Sequence, residues 1–257
     1  MMIRLIASDI DGTLLQNGAT EIPPEIFAHI RRLGGKGILF CPASGRQYTS
    51  LRRLFAPVAD KVPFLCENGA VVYGAGSPGP ILSKTAMDRR LSEELCREIL
   101  ALPGVEVLIS GADTSYLCPK TPDLEEKIRW FLGNRTAVLP GPEEVPEDIV
   151  KISAYCPRDM EAVKAALFPK WEVHFRCAVA GAVWLDFTLA DKGVGLRRLC
   201  KALSLDLKEV MAFGDNYNDV SMLEQVGRPY LMENAASELR ARFSTRCRTV
   251  AEVLETL

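Results

Sequence analysis

Short apolar runs alternate with amphipathic helical patterns in the first part of the chain. Met1–Ile6, Gly37–Cys41 and Pro63–Cys66 have the length and composition of buried strands. Two helices are predicted between these strands, one opening at Pro23-Pro24 and one running from about Gln47 to Phe55. Strands and helices that alternate in this way predict a parallel, doubly wound sheet.

The pattern changes between residues 84 and 189. A cluster of glycine and proline at 74–80 predicts a turn or a boundary. Beyond it the order becomes one helix and two strands, three times over, with the alternating strands typical of a sheet that has one covered face. The predicted helices are 91–102, 122–133 and 158–168, and the predicted strand pairs are 105–110 with 114–118, 135–139 with 149–156, and 171–177 with 182–189.

The alternation of strand and helix resumes at Asp191. The predicted elements are a helix over 193–203, an apolar strand over 209–213, a helix near 219–225, a strand near 229–232 and a terminal helix after Ala251. We therefore expect an α/β, Rossmann-like core with a doubly wound parallel sheet, formed by residues 1–83 and 190–257. Residues 84–189 are expected to form an inserted α+β domain.

Composition narrows the function classes. The formal net charge is −2, so we expect neither nucleic acid nor an acidic membrane surface as a partner. No apolar run approaches the roughly 18 residues of a membrane span, and a leader pattern is missing, so we expect a cytoplasmic protein. Eight cysteines without a Cys-x-x-Cys pair indicate free thiols. The two histidines, His29 in a helical pattern and His174 in a strand pattern, make a zinc site improbable.

Polar side chains follow three predicted strands at their carboxyl ends. Asp9 and Asp11 follow the first strand, Ser44 follows the second, and a cluster that includes Asp215 and Asp219 follows the strand at 209–213. Because parallel strands open their carboxyl ends on one edge of the sheet, these groups can converge. Several carboxylates in one crevice need a counter-ion, and hard oxygen ligands favour Mg²⁺ over zinc.

Two further features suit an anion. Ser44-Gly45-Arg46 opens a predicted helix and offers a hydroxyl and backbone N–H groups, and Lys192 adds a compact positive charge. Together with a cation these groups predict a site for a phosphoryl group. Two of the acidic segments also fit purely structural roles, since Asp9–Gly12 could form a polar turn and Asp219 could cap a helix.

Four motifs stand out in the sequence, and they are Asp9-Ile10-Asp11-Gly12-Thr13, Ser44, Lys192 and Gly214-Asp215-Asn216-x-Asn218-Asp219. They resemble the motifs of the haloacid dehalogenase superfamily, and the resemblance covers essentially the whole chain. The inserted domain looks like the C2B cap of the Cof-type, subfamily IIB phosphatases, which implies that it supplies substrate specificity.

This resemblance implies a Mg²⁺-dependent phosphatase acting on small phosphorylated metabolites such as sugar phosphates. Asp9 would attack phosphorus and form an aspartyl-phosphate, and Asp11 would protonate the leaving alcohol and then deprotonate water. Mg²⁺ would be bound by Asp9, the backbone carbonyl of Asp11 and Asp215, with Asp219 in or beside its shell.

Ser44 and Lys192 would hold the remaining phosphoryl oxygens. The expected substrate-binding positions are Gly12, Thr13, Gly45, Arg46, Asn68 and Asn218. Within the cap, the loop 111–113 is a candidate for reading the substrate, and Asp186 is expected to be structural. One departure concerns a Gly-Asn-Ala turn of the family, in which Glu233 replaces the glycine before Asn234.

Two alternatives use the same groups. A phosphomutase needs the same aspartyl-phosphate but rebinds its product. A phospho-acceptor domain of a signalling protein also places acids, a hydroxyl and a lysine at strand ends, although the long insert and Asp11 argue against it. A monomer is the default expectation.

Overall fold

The structure is a computed structural model that describes residues 2–121, 124–180 and 182–257. The chain divides into two compact units. We call residues 1–46, 51–83 and 191–257 the core unit, and residues 47–50 and 84–190 the cap unit.

The helices and strands have the following bounds. The helices are α1 (Pro24–Gly34), α2 (Tyr48–Leu54), α3 (Arg89–Ala101), α4 (Leu124–Leu132), α5 (Met160–Trp171), α6 (Lys192–Ala202), α7 (Val220–Leu223), α8 (Ser237–Arg242) and α9 (Val250–Glu255). The strands are β1 (Leu5–Ser8), β2 (Leu39–Pro42), β3 (Phe64–Cys66), β4 (Val71–Tyr73), β5 (Ile81–Lys84), β6 (Glu106–Ser110), β7 (Ser115–Leu117), β8 (Thr136–Val138), β9 (Lys151–Tyr155), β10 (Arg176–Ala180), β11 (Trp184–Thr188), β12 (Val210–Gly214), β13 (Arg228–Met232) and β14 (Arg246–Cys247).

A five-stranded parallel sheet forms the centre of the core unit, in the order β14-β13-β12-β1-β2. Its strands β12 and β1 are buried over their whole length and are apolar apart from Ser8, as is typical of a parallel sheet with both faces covered. Ala7 of β1 lies opposite Ala212 of β12 on one side and Cys41 of β2 on the other. The predicted α/β class with a parallel, doubly wound core is confirmed.

The first strand begins and ends later than predicted. The apolar run Met1–Ile6 predicts a strand, whereas β1 spans Leu5–Ser8, because the ladder with β12 pairs Leu5 to Val210 and Ser8 to Phe213. This shift places Asp9 directly after the last paired residue of the strand.

The strand at Phe64–Cys66 was expected in the parallel sheet and lies elsewhere. It belongs to a three-stranded sheet, β3-β4-β5, in which β3 and β4 are antiparallel. An isolated parallel bridge between Ala43 and Leu65 connects it to the end of β2. The predicted turn at 74–80 is confirmed, since Gly74 donates its N–H to the Pro80 carbonyl (2.8 Å) between β4 and β5.

The cap unit contains a six-stranded sheet in the order β10-β11-β9-β6-β7-β8. One face packs against α3 and α5 through buried residues such as Leu95, Ile109, Leu167 and Phe187. The predicted pairing of 135–139 with 149–156 is wrong. Instead, β8 pairs in parallel with β7, and β9 lies between β6 and β11.

A second correction concerns the predicted strand 171–177. Trp171 ends α5, and His174 lies in the turn that follows, where its N–H donates to the Trp171 carbonyl (3.0 Å). The turn is favoured because the buried Trp171 ring stacks on Phe175 at 5.8 Å between centroids. The predicted helix over 122–133 begins at residues 122 and 123, which lie outside the described residues; its described part is α4.

Polar residues line up across the other face of the cap sheet. The strand registers place them side by side from one edge of the sheet to the other, and we call this set the polar row. Its members in spatial order are Thr136, Ser115, Ser110, Lys151, Thr188 and Arg176.

The cysteines agree with the sequence expectation, since all eight are free thiols and seven are buried. Among the described residues, every helix is too short or too polar to cross a bilayer.

Candidate active site

The carboxyl ends of β1 and β12 bring the first acids together. Asp9 follows β1 and donates its backbone N–H to the Phe213 carbonyl (3.0 Å), and Asp215 follows β12. Carboxylate oxygens of Asp9, Asp215 and Asp219 lie within 4.8 Å of one another. The structure therefore gathers the three predicted acids into one cluster.

Lys192 is the cation of this cluster. It is the first residue of α6, a position fixed by Asp191, whose carboxylate caps the helix by accepting from the Val194 N–H (2.7 Å). Its ammonium group has no exposed surface, donates to Oδ1 of Asp9 and lies 2.5 Å from Oδ1 of Asp219. Burial lowers the pKa of Lys192, but the two carboxylates outweigh burial and raise that pKa overall.

The acids resist ionisation because they are close together and buried. Burial and the negative charge of Asp219 raise the pKa of Asp9 well above its usual range, although Lys192 opposes the shift. Burial and Asp219 also raise the pKa of Asp215. Full ionisation of this cluster thus requires more positive charge than Lys192 supplies.

Asp219 is engaged at both carboxylate oxygens. Oδ1 accepts from Lys192, while Oδ2 accepts the backbone N–H groups of Asp215 and Asn216, both at 3.0 Å. The residue precedes α7, as an N-cap does, but its side chain makes no capping hydrogen bond to that helix. It stabilises the loop after β12 and orients Lys192.

Gly12 and Thr13 lie beside Asp215. Gly12 adopts φ +92°, and a Cβ there would lie 2.2 Å from Oδ2 of Asp215, so glycine is required for this approach. The Thr13 hydroxyl donates to Oδ1 of Asp215 (2.9 Å). Asn234, which the sequence interpretation did not assign to the site, donates to the Gly12 carbonyl (2.8 Å). The sequence signal for this residue was its position in the Gly-Asn-Ala turn of the resembled family. The contact between Asn234 and Gly12 forms although Glu233 replaces the glycine of that turn.

Asp11 lies in a more open position than Asp9. Its side chain is 57% exposed, and the Arg46 guanidinium donates to both of its oxygens, Nε to Oδ2 at 2.9 Å and a terminal nitrogen to Oδ1 at 2.6 Å. Hydrogen bonding to Asp11, more than any other factor, raises the pKa of Arg46. Asp9 and Asp11 are two residues apart in the chain but have different environments. Asp9 is buried and bound by Lys192, whereas Asp11 is exposed and bound by Arg46.

Ser44 and Gly45 form the loop between β2 and α2. Ser44 is buried, and its hydroxyl accepts the Arg46 N–H (3.2 Å). A Cβ on Gly45 would lie 3.2 Å from both amide atoms of Asn68. Asn218 donates to Oδ1 of Asn68 (3.4 Å), so the structure brings together these expected substrate-binding residues of the core unit.

The loop 111–113 lies in the cap unit, where its polar groups have partners of their own. Asp113 accepts from both the N–H and the hydroxyl of Thr49, each at 2.8 Å, and Ala112 donates its N–H to Glu147 (2.9 Å). Asp186 is buried in β11 and accepts from the Ser153 hydroxyl at 2.6 Å. These contacts stabilise the cap sheet and its loops.

Comparison with known proteins places the chain in a family. Residues 6–252 match the haloacid dehalogenase-like hydrolases. The chain belongs to that family. It is 29% identical over 251 residues to the 5-amino-6-(5-phospho-D-ribitylamino)uracil phosphatase YbjI of Escherichia coli strain K12. The aligned region covers 94% of this chain and 89% of that protein. It is 23% identical over 254 residues to the pyridoxal phosphate phosphatase YbhA of the same strain, over 94% and 92% of the two chains.

Solved structures of haloacid dehalogenase-like proteins share the fold. A crystal structure of an Eubacterium rectale protein superposes with a TM-score of 0.88 at 31% identity, over 100% of this chain and 99% of that chain. The subclass IIB sugar phosphatase BT4131 superposes with a TM-score of 0.79 at 18% identity, over 98% of each chain, and thus supports the fold alone. The predicted family and the prediction of a phosphoric monoester hydrolase are confirmed.

Proposed function

We propose that this haloacid dehalogenase-like enzyme hydrolyses small phosphate monoesters through an aspartyl-phosphate on Asp9, with Mg²⁺ as cofactor. The observation that supports it most is the buried contact between Asp9 and Lys192, next to Asp215 and Asp219. A lysine fixes one oxygen of the nucleophilic carboxylate in this arrangement, and the cluster contains three acids for this one lysine.

The donor set of the cluster fits Mg²⁺. Its side-chain ligand atoms are carboxylate oxygens, which Mg²⁺ prefers, and the raised pKa values of Asp9 and Asp215 indicate that further positive charge is needed for both to ionise. Asp9, Asp215 and the backbone carbonyl of Asp11 would hold the ion. Asp219 would support them without binding it, because both of its oxygens already accept hydrogen bonds. When bound, Mg²⁺ would neutralise phosphoryl oxygens and the charge that develops on them.

The first chemical step uses Asp9 and Asp11. The second oxygen of Asp9 attacks phosphorus, and the bond from phosphorus to the ester oxygen breaks. Asp11, once it is released from Arg46 and protonated, would give its proton to the departing oxygen. Exposure supports this division of roles, since the Asp9 side chain is 8% exposed whereas the Asp11 side chain is 57% exposed.

The second step returns the enzyme to its first state. Asp11, now ionised, takes a proton from a water molecule, whose oxygen attacks phosphorus. The bond from phosphorus to Asp9 breaks, and inorganic phosphate leaves. Ser44, Lys192 and the N–H groups around Gly45 would hold the phosphoryl oxygens in both steps.

The cap unit would select the rest of the substrate. Its polar row combines hydroxyl groups with the cations of Arg176 and of Lys151, which lies 3.8 Å from Asp186, and this combination suits a phosphorylated polyol or sugar better than an aromatic ester. Ser110 supports this assignment, since its fully buried hydroxyl has no hydrogen-bond partner in the described part of the chain. The names of the relatives, a ribitylaminouracil phosphatase and a pyridoxal phosphate phosphatase, define further substrates to screen.

Ser110→Ala tests the role of the cap. Because the hydroxyl makes no hydrogen bond to any described residue, its removal should leave thermal stability unchanged while lowering kcat/KM for sugar phosphates about tenfold, the value of one hydrogen bond. Turnover of para-nitrophenyl phosphate should stay as in the wild type. The control is Ser92→Ala, which removes from α3, outside the polar row, an equally buried hydroxyl that has no hydrogen-bond partner among the described residues. Equal effects of the two substitutions would refute the assignment.

The test of the phosphatase itself is Asp9→Asn, assayed by phosphate release from para-nitrophenyl phosphate with Mg²⁺. We expect no turnover by a variant that remains folded by circular dichroism. Activity comparable to the wild type would refute the mechanism. The phosphomutase alternative is tested with hexose monophosphates, for which exchange between isomers without phosphate release would favour a mutase. A protein that stays phosphorylated without turnover would instead favour the phospho-acceptor alternative.

A further inference from the structure

An unusual turn, Glu67-Asn68-Gly69, follows β3 next to the candidate active site. All three residues have left-handed backbone, with φ of +50°, +53° and +91°. Left-handed backbone is unfavourable for residues other than glycine, although asparagine adopts it more readily than most. Two such residues in succession persist where surrounding contacts hold them.

One side of the turn is attached to the loop that carries Ser44. Glu67 donates its N–H to the Arg46 carbonyl (3.1 Å), and Asn68 donates its N–H to the Ser44 carbonyl (2.9 Å). Ser44 in turn donates its N–H to the Leu65 carbonyl (2.9 Å). Both ends of the Ser44–Arg46 loop are therefore fixed by backbone hydrogen bonds, two of which depend on the left-handed conformation.

The other side of the turn packs against the start of α6. A Cβ on Gly69 would lie 2.3 Å from the carbonyl oxygen of Asp191, the residue that caps α6. A Cβ on Gly195, one turn into that helix, would lie 2.6 Å from the Cα of Gly69. Two glycines thus allow the turn to touch the helix whose first residue is Lys192.

The side chain of Asn68 adds a third connection. Its amide atoms lie over Gly45, and its Oδ1 accepts from Asn218, in the loop between Asp215 and Asp219. Asn68 is therefore in contact with the Ser44 loop and the Asp219 loop, and its neighbour Gly69 contacts the Lys192 helix.

We infer that Asn68 is a positioning residue, which holds the Ser44–Arg46 loop against Asn218 and the start of α6 so that Ser44 and Lys192 bind the same phosphoryl group. The inference rests on the proposed function for its reaction. Asparagine suits the position because it tolerates left-handed backbone and its carboxamide oxygen accepts from Asn218. Alanine would lose both properties, whereas glycine would lose the second alone.

The test compares Asn68→Gly with Asn68→Ala. Binding of orthophosphate in the presence of Mg²⁺ is measured by calorimetry, and kcat and KM are measured with para-nitrophenyl phosphate. By analogy with other residues that orient ligands, we expect Asn68→Gly to weaken phosphate binding and raise KM about tenfold with little change in kcat. Asn68→Ala should also lower kcat, with a combined loss in kcat/KM of about 100-fold.

A matched control exists at Asn17, which is exposed and has the same φ of +53°. Asn17→Ala should lose stability as a left-handed alanine does, yet bind phosphate and turn over substrate as the wild type does. Phosphate binding by both Asn68 variants equal to the wild type, or a loss in Asn17→Ala equal to that in Asn68→Ala, would overturn the inference. A wild type that binds phosphate but hydrolyses no ester would count against the proposed function, while the binding data would still decide the role of Asn68.

Discussion

Lys192 offers the most informative perturbation of the cluster. It lies without exposed surface between Asp9 and Asp219, and its ammonium group donates a hydrogen bond to each of these acids. Lys192→Met removes this charge and leaves two buried carboxylates without it. The loss of one partner from a buried ion pair costs about 3–5 kcal/mol.

This loss can be measured as a change in thermal stability. For a chain of this size, 1 kcal/mol corresponds to about 2–4 °C in Tm, so Lys192→Met should lower the Tm by about 6–20 °C in a metal-free buffer near neutral pH. The decrease should become smaller as the pH falls, because Lys192 lowers the pKa of both Asp9 and Asp215, and without it the folded variant takes up protons at a higher pH than the folded wild type does.

Two further variants separate this effect from the loss of a long side chain. Lys201→Met changes an exposed lysine of the same helix and should leave the Tm within a degree or so. Lys192→Met combined with Asp219→Asn should recover part of the lost stability, since it removes one of the two uncompensated charges. If Lys192→Met alone matched the stability of the wild type near neutral pH as well as at lower pH, the electrostatic account of the cluster would be refuted.

The remaining predictions concern the metal shell and the cap. Thr13→Val removes the hydrogen bond to Asp215, so the Mg²⁺ concentration for half-maximal activity should rise about 10–100-fold with little change at saturation, as measured by metal titration. In the cap unit, burial and then the hydrogen bond to Glu147 raise the pKa of Tyr116 to about 12. The unfolded chain ionises this phenol near pH 10, so between about pH 10 and 12 the wild type should lose stability relative to Tyr116→Phe in urea unfolding.

Each of these results has a clear opposite. An unchanged Mg²⁺ requirement in Thr13→Val would mean that the hydroxyl does not orient Asp215. A stability difference between the wild type and Tyr116→Phe that is constant up to pH 12 would mean that Tyr116 is not held in its neutral form. Below pH 10 Tyr116 is protonated in both the folded and the unfolded chain. The difference in stability between the wild type and Tyr116→Phe should therefore be constant there.

The sequence predicted the groups of the site better than their connections. Asp9 and Asp215 could be placed together because strand ends of a parallel sheet share one edge, and Lys192 could be placed near them because it begins the helix that precedes the strand before Asp215. The pairing of Arg46 with Asp11 could not be predicted, because either side chain could instead face a substrate. The left-handed turn at Asn68 also left no local signal beyond an Asn-Gly pair.

The cap shows why pairing is harder to predict than strand formation. The alternating runs near residues 106–110 and 184–188 predicted strands correctly, but β9 takes its partners from distant segments, so sequence order misled the pairing. Trp171 was misassigned because an alternating pattern also fits a helix end followed by a turn, once two aromatic rings stack there.

The central claim is that Asp9 carries the phosphoryl group during turnover. It is tested most directly by mixing the enzyme, Mg²⁺ and a radiolabelled phosphate monoester, stopping the reaction in acid, and locating the label in the protein. The account predicts that label is found on a peptide containing Asp9, is released by hydroxylamine as expected for an acyl phosphate, and is missing from Asp9→Asn. Turnover by the wild type without label on that peptide, or label that persists in Asp9→Asn, would contradict it.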